Sequence, residues 1–245
     1  MRNPTPTEPR AEGGSRAIVA ECIGTAMLLT AVVGSGIMGD RLSGGNVAVA
    51  LLANTLATGA ALVALILTFG PVSGAHLNPA VTLADASFGG IRWRVVPSYI
   101  AAQVIGGLLG VLVAHAMFSE RLFMLSQHER SGTAQMVSEF VATFGLLAVI
   151  LGCSRRRPTV VPFAVAAYIT SAYWFTASTS FANPAVTLAR AFSDTFAGIR
   201  PADVPGFVIA QLLGALAATS LFRWLVPARP AVAHDVVIPR AKVVR

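Results

Sequence analysis

Apolar residues gather into six stretches long enough to cross a bilayer core, roughly Ala17–Gly39, Asn46–Thr68, Val95–Phe118, Gln135–Gly152, Thr159–Ala177 and Val204–Leu225. Between the second and third, and again between the fifth and sixth, lies a shorter apolar run. Both short runs open with the same seven residues, Asn78-Pro79-Ala80-Val81-Thr82-Leu83-Ala84 and Asn183-Pro184-Ala185-Val186-Thr187-Leu188-Ala189. Asn is a preferred N-cap because its side-chain oxygen accepts a first-turn backbone N–H, and Pro is favoured at the next position, where its missing N–H is no loss. Each copy therefore predicts a helix of about ten residues, about 15 Å long, which is half a bilayer core. The order is long, long, half, long, and then the same again.

The repetition extends beyond these runs. Glu21-Cys22-Ile23-Gly24-Thr25 opens the first long stretch and Glu139-Phe140-Val141-Ala142-Thr143 the fourth, while Pro97 precedes Gln103, and Pro205 precedes Gln211, by the same spacing. Each half holds an odd number of full spans, so the second copy must enter the membrane from the opposite side. An inverted repeat of this kind sets the two Asn-capped N-termini face to face at mid-depth, where transport sites form. The expected fold is an all-α membrane protein of six transmembrane helices plus two half-helices. Its membrane domain spans 17–226, with repeats at about 17–118 and 133–226, a disordered tail at 1–16 and a second tail at 227–245.

Composition agrees: 55 % of residues are hydrophobic and 12 % charged, a balance that belongs to an integral membrane protein. The net charge of +7 does not point to nucleic acid, because the arginines sit at the ends of apolar runs and form no polar stripe. They set orientation instead. Arg2, Arg10, Arg16, Arg92, Arg94, the Arg155-Arg156-Arg157 run, Arg223, Arg229, Arg240, Lys242 and Arg245 fall on one side, against Arg41, Arg121, Arg130, Arg190 and Arg200 on the other, so both termini are expected to be cytoplasmic. Cys22 and Cys153 fall in apolar runs and read as small buried residues, not as a disulfide or metal framework. No small-residue cleavage site follows the first apolar run, so no signal peptide is expected. Gly106, Gly107 and Gly110 predict a close helix approach.

Two boxes in an inverted repeat are a specific signal. The stretch Ser73-Gly74-Ala75-His76-Leu77-Asn78-Pro79-Ala80-Val81-Thr82 resembles the first box of the aquaporin and aquaglyceroporin family, and Ser180-Phe181-Ala182-Asn183-Pro184-Ala185 resembles its second. The resemblance covers about Ala17 to Leu225. It implies six tilted helices around a pore, half-helices stacked end to end, Asn78 and Asn183 facing the lumen, and a homotetramer in the inner (plasma) membrane with one pore per subunit. It implies no cofactor, and the partners are small neutral solutes and the lipid bilayer.

One position departs from the family. The residue three after the second Asn is usually an Arg of the narrowest ring; here it is Val186. The other ring positions, carried over by spacing, are Thr58, Ser171 and Ser180. Such a ring has lost both its fixed cation and its aromatic wall, so a wider, less polar constriction is expected, with ion rejection resting on the half-helix ends. Two intact boxes with Val for Arg resemble a bacterial subgroup associated with arsenic resistance. That resemblance implies passage of uncharged arsenite, with glycerol and water, and methylated arsenicals, as further solutes.

Other residues keep two readings. Glu21 and Glu139 are ionisable groups within spans, which a proton-coupled secondary transporter would use; the structural reading has them accepting N–H groups ahead of the half-helices, with Gln103 and Gln211 as interhelical partners. His76 either lines the vestibule or is a hydrogen-bonded structural histidine. Asp85 and Arg190, each seven residues after its Asn, are expected about 20 Å apart near the outer ends, partnered locally. Tyr168, Tyr173 and Trp174 belong to packing, or narrow the pore if the register differs. Phosphate loops and metal-ligand spacings are absent, as is any nucleophile with a base, so enzymatic activity is not expected. An adhesive role finds little support in the short outer loops.

Overall fold

The computed structural model describes residues 14–154 and 157–225. Most of the expected N-terminal tail, the C-terminal tail, and Arg155 and Arg156 of the triple-arginine run lie outside the described residues. The first repeat comprises α1 (Ser15–Leu42), α2 (Val47–Ser73), the half-helix α3 (Pro79–Ser87) and α4 (Val96–Phe118). The second comprises α5 (Thr133–Ser154), α6 (Val161–Phe175), the half-helix α7 (Pro184–Arg190) and α8 (Val204–Leu225). The half-helices are shorter than the ten residues expected, at nine and seven.

Among the described residues, five helices are individually long and apolar enough to cross a membrane. α6 has 15 residues and reaches across only with the 3-10 turn Pro158–Val160 before it. The helix rises about 22 Å and the turn about 6 Å, close to the roughly 30 Å of a bilayer core. The apolar run continues to Ala177, but the helix stops at Phe175. Thr176 turns extended (φ −111°, ψ 137°), and the Ala177 N–H goes to Ser138 Oγ at 3.1 Å instead of to a helical carbonyl.

Packing repeats the sequence symmetry. α1 lies against α4 and α2, and α5 lies against α8 and α6. Glycines set the closest approaches. A Cβ on Gly106 or Gly110 would run into the carbonyls of Cys22 and Ala26 on α1, and one on Gly214 into the carbonyl of Phe140 on α5. The repeats are also interlocked, because α3 packs on α8 as well as α4, and α7 packs on α4 as well as α8. Large apolar side chains such as Val19, Ile23, Met27, Leu52, Leu56, Leu213 and Leu216 stay exposed on the outer faces, as expected of helices solvated by lipid.

Candidate pore and its constriction

Each half-helix is started by its asparagine. Asn78 is extended (φ −159°, ψ 120°) and its Oδ1 accepts from Ala80 N at 2.9 Å. Asn183 does the same for Ala185 N and Val186 N at 3.0 and 3.3 Å. The amide nitrogens cross between repeats: Asn78 Nδ2 donates to Ala182 O at 2.8 Å, and Asn183 Nδ2 donates to Leu77 O at 2.7 Å. Each acceptor immediately precedes the other asparagine, so the two N-termini meet tip to tip. An amide nitrogen carries two hydrogens. Each asparagine therefore keeps one for the cavity that both line. Pro79, Ala80, Pro184 and Ala185 form the first turns behind them.

The segments leading into these tips are backbone of an unfavourable kind. Ala75, Leu77, Thr179, Ser180 and Ala182 all have positive φ, at a cost of about 1–2 kcal/mol for each such residue. Two buried carboxylates compensate. Glu21 accepts from His76 N (2.9 Å), Leu77 N (2.7 Å), Ser73 Oγ (2.6 Å) and Gln103 Nε2 (2.7 Å). Glu139 accepts from Phe181 N (2.9 Å), Ala182 N (2.9 Å) and Gln211 Nε2 (2.6 Å). The network then returns to the half-helices. Gln103 donates to Thr82 Oγ1 and Thr82 to Asn78 O, while Gln211 donates to Thr187 Oγ1 and Thr187 to Asn183 O. Every group in these chains is buried.

The cavity along this axis has two unlike walls. One is aliphatic, from Leu28 and Val32 of α1, Leu62 and Ile66 of α2, Leu146 and Ile150 of α5, and Val165 and Ile169 of α6. The other is built from the segments 75–78 and 180–183 and the first turns of the half-helices. Val81 and Val186, each three residues after its asparagine, both face the lumen. The cavity volume is about 70 Å³.

Three of the four expected ring positions, Thr58, Ser180 and Val186, line the cavity; Ser171 does not. Ser171 is exposed on the far side of α6, its hydroxyl bonded to Tyr168 O at 2.7 Å. The cavity face of α6 is Val165, Ile169 and Tyr173 at spacing four, and residue 171 lies about 200° around the helix from 169. On α6 it is Tyr173, not Ser171, that lines the cavity, and its hydroxyl donates to Thr58 Oγ1 at 3.3 Å. With Phe181 also lining the cavity, the expected loss of the aromatic wall is corrected. Tyr168 instead packs on α5 through Val141 O, and Trp174 faces outward.

His76 lines the cavity and has a polar neighbour at each ring nitrogen: Nδ1 lies 3.2 Å from Thr82 Oγ1, Nε2 lies 3.4 Å from Asp85 Oδ2, and the ring packs on Tyr99. Asp85 is thus a buried partner of the histidine. Arg190 ends its half-helix, as expected, but is a buried charge there. It is 2 % exposed, lines the cavity, donates through Nε to Ala197 O, and lays its guanidinium 3.4 Å from the centre of the Phe181 ring. Arg130, from the 119–132 segment, stacks on the same ring at 5.0 Å and donates through Nε to Gly198 O at 2.8 Å. Sequence reasoning missed this pair. The signal for Arg190 was its spacing, since 183, 186 and 190 form one stripe of a helix. Arg130 carried none, because irregular chain brings it there. Beside them, His128 is held below its ordinary value by burial and then by the charges of Arg130 and Arg190, with Asp194 opposing. No cluster of three His, Cys, Asp or Glu side chains suited to a metal occurs among the described residues.

Known proteins share this arrangement. The sequence pattern of the family described as "Major intrinsic protein" matches residues 9–168 and 156–244. The chain is 56 % identical over 217 residues to "Aquaglyceroporin AqpS" of Rhizobium meliloti (strain 1021), covering 88 % of this chain and 93 % of that protein. It is 36 % identical over 129 residues to "Probable aquaporin NIP7-1" of Arabidopsis thaliana, covering 52 % and 46 %. Its fold matches the X-ray structure of the aquaglyceroporin from Plasmodium falciparum with a TM-score of 0.64 over 86 % of this chain and 97 % of that one, at 20 % identity. Matched along nearly its whole length, this multi-pass membrane chain belongs to the major intrinsic protein family, whose members are channels.

Proposed function

We propose that the protein is a passive channel for small uncharged solutes: glycerol, arsenite as its neutral trihydroxide, water, and methylated arsenicals. The observation that carries this is the two-walled cavity, aliphatic on one side and donor-bearing at the crossed asparagines. A polyhydroxylated solute can lay its carbon edge on the first wall and its oxygens on the second. First-turn N–H groups of both half-helices point at the crossing and disfavour protons and other cations, the general device of aquaporin-type pores and not peculiar to this chain. Val186 supports passage of bodies wider than water, since it puts an isopropyl group where an arginine side chain would extend into the lumen. Thr58, Ser180 and Tyr173 complete the ring. The relative's printed name supports glycerol; arsenite is supported by Val186 and by its size and neutrality.

The arginine distribution supports cytoplasmic termini in the inner membrane. The exposed apolar flanks of α1, α2 and α8 are compatible with a homotetramer. A rival reading, a secondary active transporter run by Glu21 and Glu139, needs those carboxylates to exchange protons. The N–H donors already on their oxygens speak against it.

Flux into vesicles tests the proposal. Vesicles carrying the protein should take up glycerol and arsenite downhill, without saturation in the millimolar range and without a proton gradient. Uptake equal to that of empty vesicles, or uptake that follows an imposed proton gradient, refutes it.

A further inference from the structure

Two side chains that line the cavity, Arg190 and Ser180, keep polar atoms that no group among the described residues bonds. Among the described residues, none accepts a hydrogen bond from Nη1 or Nη2 of Arg190, and no carboxylate lies within ion-pair reach of it. Ser180 Oγ is buried and equally without a partner. Both residues line the cavity. A guanidinium carries its charge across the ordinary pH range, and burying a charge without a counter-ion is costly. The Phe181 face beside it offsets only part of that cost. Anchoring the loop at Ala197 O does not require that charge, because any amide side chain could donate there. Arg130 makes the contrast: it lies 5.0 Å from the centre of the same ring, does not line the cavity, and is taken up by the carbonyls of Gly198 and Ser178.

Position along the axis adds to this. Asn183, Val186 and Arg190 occupy one stripe of α7 and all face the lumen. Arg190 therefore stands about 6 Å beyond Val186, four residues at 1.5 Å each, on the mouth side of the ring.

We propose that Arg190 is the cation filter and oxygen-binding group of this channel, set one helical turn outward of Val186. The inference rests on the channel reading above. The guanidinium is held 3.4 Å from the centre of the Phe181 ring, one turn away from Val186, so the mouth keeps a fixed positive charge while position 186 carries only an isopropyl group. A neutral hydroxylated solute passing there accepts from Nη1 or Nη2 and from Ser180 Oγ. A cation of the same size meets uncompensated positive charge in a low-dielectric wall, where such repulsion is strong. Width and charge selection, which a single Arg at position 186 would combine, are thereby separated into two successive layers.

Vesicle flux of glycerol and of methylammonium, a small cation, tests the assignment. In Arg190→Gln the ratio of methylammonium to glycerol permeability should rise at least ten-fold, and Arg190→Lys, which keeps the charge, should stay within about three-fold of the parent. Glycerol flux in the parent protein reports on the channel reading separately. If the parent conducts glycerol but the ratio in Arg190→Gln does not move, the filter assignment alone is overturned. Should Arg190→Gln fail to fold, methylglyoxal, a neutral arginine-directed dicarbonyl of glycerol-like size, is applied to the parent protein and its adducts are mapped by mass spectrometry. Modification of Arg190, slowed by glycerol, supports the assignment; modification of exposed Arg41 with Arg190 untouched overturns it.

Discussion

At the scale of single residues, Glu21 and Glu139 do the heaviest structural work, because each holds a left-handed backbone in place from another helix. Replacing Glu21 by Gln puts an NH₂ where two backbone N–H groups and two side-chain donors now meet an anion. Hydrogen bonds to a charged acceptor contribute about 1.5–3 kcal/mol each. Glu21→Gln should therefore cost on the order of 3 kcal/mol or more, seen as loss of a monodisperse species in detergent. A well-folded variant with altered proton coupling would favour the transporter instead. Val186→Arg should lower glycerol and arsenite flux several-fold while sparing water, as stopped-flow swelling would read; equal passage of all three would remove Val186 from the ring. His128 supplies the pH dependence. Its folded-state affinity for a proton is lowered, so the unfolded chain binds protons more readily. Stability is full above the ordinary histidine value of about 6.5 and falls as pH drops from there through the lowered folded value. The melting midpoint in detergent should fall on acidification over that window, and His128→Gln should flatten the slope. Much of the cavity lining was legible here: Val186 and Ser180 lie three residues from a box asparagine, and Thr58, carried over on the family resemblance, also lines the cavity. Ser171 failed because carrying a position over by spacing fixes a helix face only to within a residue or two, and two residues on α6 are half a turn.

At the scale of elements, the sequence located every helix but not every end. Apolar content says where a chain is comfortable in lipid, not where its hydrogen bonds stop. Thus α6 ends at Phe175 because Ser138 captures the Ala177 N–H from another helix, which periodicity cannot foresee. Glycine spacing was more informative. Gly106 and Gly110 sit one turn apart on α4, each against a carbonyl of α1. Rigid backbone cannot yield as a side-chain tip can, so Gly110→Val should cost at least the 1–3 kcal/mol typical of overpacking. A thermal-shift measurement of the purified variant would show it, and a midpoint within a degree of the parent would mean that α1 and α4 are further apart than described.

At the scale of the molecule, the inverted repeat was readable from the two boxes and the odd number of spans. What could not be read was how tightly the halves depend on each other. The acceptor for Asn78 is in the second half and that for Asn183 in the first, and each half-helix packs on the last helix of the other repeat. Cutting the chain after the exposed Phe123 should therefore leave neither fragment stable alone, yet co-expressed fragments should co-purify and conduct glycerol. Stable, monodisperse single halves would contradict this dependence. Arg130, from the link between the repeats, and Arg190, from the end of α7, meet at one phenyl ring for the same reason: only the assembled bundle makes them neighbours.

The crossed asparagines have a consequence for proton relay. With one amide hydrogen each committed to the facing backbone, the pair presents two donors to whatever passes and keeps its acceptor oxygens turned to the helix starts. A water molecule at the crossing must turn its lone pairs to both amides and its own hydrogens toward the two mouths. Handing a proton onward through that molecule would need it to flip, so a Grotthuss wire through the cavity is cut at its centre by the orientation of a single molecule.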